Sequence, residues 1–362
     1  MFYIVLLKRA RRIAFDVNLT LILKPQVSFD IEGVVAPVFT PFDEGGGLAL
    51  EVIPTYMKYL NDHGIKSILV GGTTGESLCL SLDERKFVVQ AWLQEAKRFG
   101  AKVMVQVGGV PLPDVIQMSK FAEAGKADAI MTLPEIYYKP KSTEQLVSYL
   151  ETVSEAAPTL PLLYYDYPMM TGVKINASEF FTLASARISN FKGMKTNLEV
   201  AAQIHTYLKD DQRVFIGNHL IAPAVLLGHE SSITSATNLF PELMKRIVEN
   251  VKTGDVVNAK ILQNNLNELV GSITQQGETL PTMKAAMEIL TGVQVGPPRR
   301  PLFLIEEGHK EILIESLDKL RDKYVDEERA LVMKAEREPS VKSFSPPQIP
   351  IHPDKRDWMP LI

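Results

Sequence analysis

Between Gly33 and Gly254 the chain repeats one pattern eight times: a short apolar run, then a longer stretch of helical periodicity. The apolar runs are Val34 to Phe39, Ile68 to Val70, Val103 to Val107, Ala129 to Thr132, Leu162 to Tyr165, Phe191 to Lys195, Arg213 to Ile216 and Ser232 to Thr234. A helix between two strands carries the chain back to the end where it began, so successive strands pair in parallel. Eight such units are the number that closes a (β/α)8 TIM barrel, and an open doubly wound sheet is the competing α/β arrangement. Helix starts are marked by Ser81 with Glu84, Ser142 with Gln145, and Asn176 with Glu179, each pair spaced so that a side chain accepts from an end N–H of the first turn.

After Gly254 the alternation stops. Val256 to Val270, Met283 to Leu290 and Ile305 to Arg321, the last running on towards Tyr324, keep helical periodicity with no strands between them. They are expected to be additional C-terminal helices packed on a finished barrel. The expected organisation is an amino-terminal extension over 1–30, with disorder as one option, a barrel over 31–254, added helices over 255–336, and a proline-rich disordered tail over 337–362.

The 362 residues are 46% hydrophobic and 23% charged, enough apolar material for a large core. A net charge of −4 gives no electrostatic reason to expect nucleic acid or a membrane surface as partner. The one cysteine, Cys79, has no internal mate, which fits a reducing, cytoplasmic setting. The start, with Lys8, Arg9, Arg11 and Arg12 before the first acid at Asp16, has the charge of a mitochondrial targeting peptide but little of its serine, and is read as an ordinary extension. Asn18-Leu19-Thr20 matches a glycosylation sequon but lacks a secretory signal before it.

The chemistry concentrates on Phe191-Lys192-Gly193-Met194-Lys195. At period two, Phe191, Gly193 and Lys195 share a face, so an amine hangs at the carboxyl end of the sixth strand, where barrel enzymes build their sites. A lysine amine in water is almost wholly ammonium at neutral pH, and burial disfavours that charged form. A neutral amine can attack a ketone and form a Schiff base; the alternative is a surface lysine just past a strand.

Three other stretches lie at predicted strand ends. Gly71-Gly72-Thr73-Thr74-Gly75-Glu76-Ser77 offers close backbone approach and two hydroxyls to a carboxylate or phosphate; it is not a Walker loop, because Gly75 is followed by an acid. Tyr165, inward-facing beside the Lys195 strand, would place a phenol near the amine as a proton relay, or serve as a core tyrosine. Gly217-Asn218-His219 puts a histidine after the seventh strand, as substrate ligand, acid/base or ordinary loop residue. The six histidines show no metal-ligand spacing, so no catalytic metal is expected.

Gly72-Thr73-Thr74-Gly75-Glu76, Tyr165 ahead of Thr171-Gly172-Val173, and Lys195 after Gly193-Met194 resemble, in order and spacing, the signatures of the dihydrodipicolinate synthase and N-acetylneuraminate lyase superfamily. The resemblance runs from about Gly33 to about Leu320. Gly75 to Ser81, Tyr164 to Lys174 and Gly296 to Leu302 resemble its sialate-lyase branch in particular. It implies a pyruvate-dependent class I aldolase on a (β/α)8 barrel, usually a homotetramer, needing no cofactor. Lys195 would form the Schiff base and Tyr165 relay protons. Thr73 and Thr74 would hold the substrate carboxylate, and Gly217, Ser235, Thr171 and His219 would line the rest.

The implied reaction is cleavage of N-acetylneuraminate, a 2-keto sugar acid, to pyruvate and N-acetylmannosamine. Another 2-keto acid aldolase or hydratase, or a non-catalytic barrel that binds a sugar acid, are the alternatives. Met170 stands where the synthases carry an arginine for a second carboxylate, which disfavours a dicarboxylic product. His219-Leu220 stand where sialate lyases place Asp-Glu against sugar hydroxyls, which predicts weaker recognition of the glycerol chain. Tyr137 or Tyr138 would reach into a neighbouring subunit.

Overall fold

The computed structural model describes residues 27–320. The targeting-like stretch, the sequon at Asn18, the helix run-on to Tyr324 and the proline-rich tail lie outside the described residues. Of the described residues, 27–317 belong to one compact unit. Of a second unit that begins at Asp318, only 318–320 are described, and they are helical.

Eight strands close a barrel in sequence order, each parallel to its neighbours. They are β1 (Val34–Pro37), β2 (Ser67–Val70), β3 (Lys102–Gln106), β4 (Ala129–Thr132), β5 (Leu162–Tyr165), β6 (Phe191–Thr196), β7 (Arg213–Ile216) and β8 (Ser231–Ile233). Nearly every strand residue is buried, as expected when a parallel sheet is covered by side chains inside and helices outside. Val35, Leu69, Met104, Met131, Leu163, Phe215 and Ile233 fill the interior. At the amino end Ile31, the first residue assigned above to the barrel, joins the same core, and Phe29, assigned above to the extension, meets Phe215 edge-on at 6.2 Å. Packing against the core thus reaches back at least to Phe29.

The helix starts form for the expected reason, with one difference. Ser81 and Glu84 make both bonds of a capping box at the start of Leu82–Arg98, and Asn176 accepts from the Glu179 amide at the start of Ala177–Arg187. At Thr143–Ala156 only half the box is present: Ser142 accepts from the Gln145 amide, but the Gln145 side chain accepts from Lys141 instead. After the barrel come helices Pro241–Lys252, Val256–Thr274 and Thr279–Thr291, and residues 307–317 are helical.

β6 departs from simple alternation. Leu162 pairs with Phe191 but Leu163 pairs with Gly193, so Lys192 is an extra residue, a bulge. Phe191 accordingly packs outward on Phe180 and Phe181, at ring separations of 5.9 and 5.4 Å, and does not share the inner face with Gly193 and Lys195. Lys192, almost fully buried, pairs with Asp211. Gly193 has φ +134°, and a Cβ there would collide with the Arg213 carbonyl oxygen of β7. Gly193→Ala is expected to cost roughly 3 kcal/mol or more of unfolding free energy, measured from the urea midpoint. An unchanged midpoint would show that the bulge can relax around a methyl group.

Candidate active site

Five strand ends contribute to one place at the carboxyl end of the barrel. Lys195, from β6, is 6% exposed. Its Nζ lies 4.0 Å from the centroid of the Tyr165 ring, whose residue is its register partner on β5. The phenol oxygen is 3.1 Å from Thr73 Oγ1, on the loop after β2. The neighbouring Thr74 Oγ1 lies 3.5 Å from Ser235 Oγ, after β8. Gly217, after β7, leaves room beside the lysine stem: a Cβ at that position would sit 3.3 Å from Lys195 Cε.

Amine, aromatic face, phenol and hydroxyl thus run in a continuous line. An ammonium or iminium over an aromatic face is stabilised by up to about 2 kcal/mol where water is excluded. The same ring carries the hydroxyl that could move a proton, so one residue offers charge stabilisation and acid/base chemistry to the same nitrogen. The Tyr167 ring stacks on Tyr165 at 5.9 Å, fixing its plane.

Two of the expected site residues bond elsewhere. Thr171 is buried and its hydroxyl is used in its own turn, donating to the Tyr167 carbonyl and accepting from the Val173 amide. His219 is half-buried, its carbonyl accepts from Gln263 Nε2 at 2.7 Å, and burial holds its imidazole below the usual pKa. The Gly-rich loop also differs from a set of free N–H groups. The Gly75 and Glu76 amides bond to Gly72 and Thr73 carbonyls within the turn.

Sequence reasoning missed what holds that loop. Glu76 has a left-handed backbone, φ 52°, and a fully buried carboxylate. Lys284, from Thr279–Thr291, bonds to Glu76 Oε1 at 2.9 Å, to the Thr40 carbonyl at 3.0 Å and to the Pro297 carbonyl at 2.9 Å, which uses all three of its protons. The other Glu76 oxygen accepts from the Arg299 amide at 2.7 Å. The available signal was a lysine on a mostly apolar helix face, among Met283, Ala286 and Met287. The loop after β7 is held likewise: Gln263 Oε1 accepts from the Ile221 and Ala222 amides.

A (β/α)8 barrel whose carboxyl end gathers a buried lysine, a tyrosine and two threonines is the class that this fold and site define. Residues 30–320 match the model of the dihydrodipicolinate synthetase family, and the chain belongs to that family. It is 31% identical over 278 residues to the N-acetylneuraminate lyase of Rattus norvegicus, covering 75% of this chain and 87% of the relative. To that of Mus musculus it is 30% identical over 311 residues, covering 83% and 97%. The solved N-acetylneuraminate lyase (sialic acid aldolase) of Aliivibrio salmonicida superposes with a TM-score of 0.75 at 28% identity, covering 80% of this chain and 97% of that one.

Removing one partner of a buried ion pair strands the other charge. Lys284→Met should cost about 3 to 5 kcal/mol of stability by urea denaturation, and a loss below about 1 kcal/mol would show that Glu76 has reached solvent. Arg299 also bonds to Glu84 at 2.8 Å and holds its carboxyl at about 2, down from 4.5. This contribution is complete above about pH 4.5 and is lost as pH falls towards 2. Glu84→Gln should therefore remove about 1 kcal/mol or less from the acid limb of stability over that window, measured as the unfolding free energy against pH. An unaltered limb would leave that pair without effect.

Proposed function

We propose that this protein is a carbon–carbon lyase that uses Lys195 to form a Schiff base with a 2-keto sugar acid, cleaving N-acetylneuraminate to pyruvate and N-acetylmannosamine. The observation that carries this is the buried Lys195 amine 4.0 Å above the Tyr165 ring, with the phenol bonded to Thr73. Family membership and the sialate lyases among its relatives support the same reading.

The neutral amine adds to the keto carbon; one of its protons, and a second supplied from solvent, pass through the Tyr165 hydroxyl to the former keto oxygen, which leaves as water. The resulting iminium keeps its positive charge over the ring. When the bond between the first and second carbons beyond the nitrogen-bearing carbon breaks, its electron pair moves into the iminium and gives an enamine. The hydroxyl on the departing carbon loses its proton and becomes the aldehyde. Protonation of the enamine and attack by water then release pyruvate and restore the amine. Thr73 and Thr74 hold the carboxylate, Ser235 supports Thr74, Gly217 leaves space for the chain, and Thr171 and His219 shape its wall.

Partly exposed Leu220 and half-buried His219 favour a second substrate reading, a 2-keto acid with fewer hydroxyls beyond the bond cleaved. A homotetramer goes with the proposal; Tyr137, Tyr138 and Met169, each more than four-fifths exposed after β4 and β5, are apolar groups that a neighbouring copy would cover. Among the described residues no helix is long and apolar enough to cross a membrane, and a cytoplasmic location is proposed with the rest.

Incubation with pyruvate and borohydride should leave one stable adduct, mapped by peptide mass to Lys195. Lys195→Ala should abolish the adduct, and Tyr165→Phe should slow turnover by about 10² to 10⁴. Absence of adduct at saturating pyruvate would refute the lyase assignment. Comparing kcat/KM for N-acetylneuraminate with that for shorter 4-hydroxy-2-keto acids decides the substrate: preference for the shorter acids would replace the sugar acid with the second reading.

A further inference from the structure

Lys195 and Tyr165 meet because two strands stand at one particular height relative to each other, and the β6 bulge makes that height vulnerable. Beyond the bulge β5 and β6 share three register pairs: Leu163 with Gly193, Tyr164 with Met194, and Tyr165 with Lys195. A slip of one residue there would turn the lysine from the barrel interior to the outside.

The residues immediately after the lysine and the tyrosine close the ladder. The Asp166 amide donates to the Lys195 carbonyl at 2.9 Å. Thr196 Oγ1 donates to Asp166 Oδ2 at 2.7 Å. The Gly217 amide donates to the Thr196 carbonyl at 2.7 Å. Three strand ends of the site are thus laced at one level, and the one side-chain bond in the lacing joins the residue after the phenol to the residue after the amine.

We propose that Asp166 and Thr196 are positioning residues, a side-chain clamp that sets the height of Lys195 against Tyr165 beyond the bulge, where β5 and β6 share three register pairs. The clamp rests on the Schiff-base reading and touches no substrate. Its chemistry is unlike that of a stability device. Asp166 is half-buried, and burial pushes its carboxyl up while the Thr196 hydroxyl draws it back. A carboxylate at such a position costs desolvation that an apolar residue would not. What the carboxylate supplies is direction, since a hydroxyl donor to one oxygen fixes both side chains, whereas an apolar contact tolerates sliding. Thr196 is almost fully buried, so its hydroxyl is shielded from competing water.

The full chain tests this with four variants and three readouts: the rate of borohydride-trapped adduct formation from pyruvate, kcat and KM for cleavage, and the thermal midpoint. Thr196→Val keeps the shape and removes the donor; Thr196→Ser keeps the donor. Asp166→Ala removes the acceptor; Asp166→Asn keeps an acceptor oxygen. Thr196→Val and Asp166→Ala should slow trapping and kcat by about ten- to a hundredfold, because an ångström of misplacement has that effect, with KM within about twofold. Thr196→Ser and Asp166→Asn should stay near the unmodified rate. Combining Thr196→Val with Asp166→Ala should be no slower than the slower single variant, as expected for two halves of one bond.

Lower thermal midpoints with unchanged trapping in the two disruptive variants would overturn the clamp and leave the lyase reading standing. Additive losses, or slow trapping in Thr196→Ser, would also overturn it. Failure of the unmodified protein to trap pyruvate would bring down both readings.

Discussion

The site depends on one backbone constraint: β6 carries an extra residue and still has to stay in register with strands on both sides of a closed ring. In an open sheet a bulge can be absorbed at an edge, but in a barrel every strand is hydrogen-bonded twice, so the insertion must be accommodated where it occurs. Here Lys192 is taken up by Asp211, and Gly193 lies against the Arg213 carbonyl where no side chain fits. Phe191 turns outward to Phe180 and Phe181. With Phe191 outside, the interior beneath Lys195 is a glycine, and space near the amine is created by the same event that decides which way the amine points.

The loops facing that amine are held from outside the barrel. Lys284 and the Arg299 amide clamp Glu76 after β2, and Gln263 caps the chain after β7. A buried ion pair is weak evidence for net stability, because desolvation offsets most of its Coulomb gain. Its value here is directional. A left-handed Glu76 held by the Lys284 ammonium and the Arg299 amide leaves few conformations for the preceding Thr73 and Thr74. The helices after the barrel thereby set the shape of its mouth, which accounts for their presence on a sheet that is already closed.

Much of this architecture was legible because fully buried parallel strands read as unbroken apolar runs. The bounds Ala129–Thr132, Leu162–Tyr165 and Arg213–Ile216 follow directly from the residues. The bulge was not legible, since strict alternation through Phe191, Gly193 and Lys195 satisfies the same pattern, and the β5–β6 register and the ring contacts of Phe191 are what separate the two. Pro168–Thr171 and Ala236–Leu239 are single turns, too short for periodicity to register. The Glu76–Lys284 pair joins residues 208 positions apart, and no local rule links an acid in a turn to a lysine in an apolar helix. Phe29 was hidden by its place in a stretch of mixed character, although Phe215 needs a cover at that end.

The geometry also favours one division of work within Tyr165. Its ring faces Lys195 Nζ, while its hydroxyl is directed to Thr73. On the proposed chemistry the ring stabilises the iminium once it has formed and gains nothing from the neutral amine. The proton transfers that lead to the iminium need the hydroxyl, and Thr73 fixes where that hydroxyl sits. A ring without its hydroxyl would still hold the charge, and a displaced hydroxyl would have no charge to serve. Both functions require the phenol and the amine at the same height, which returns the chemistry to the register of two strands.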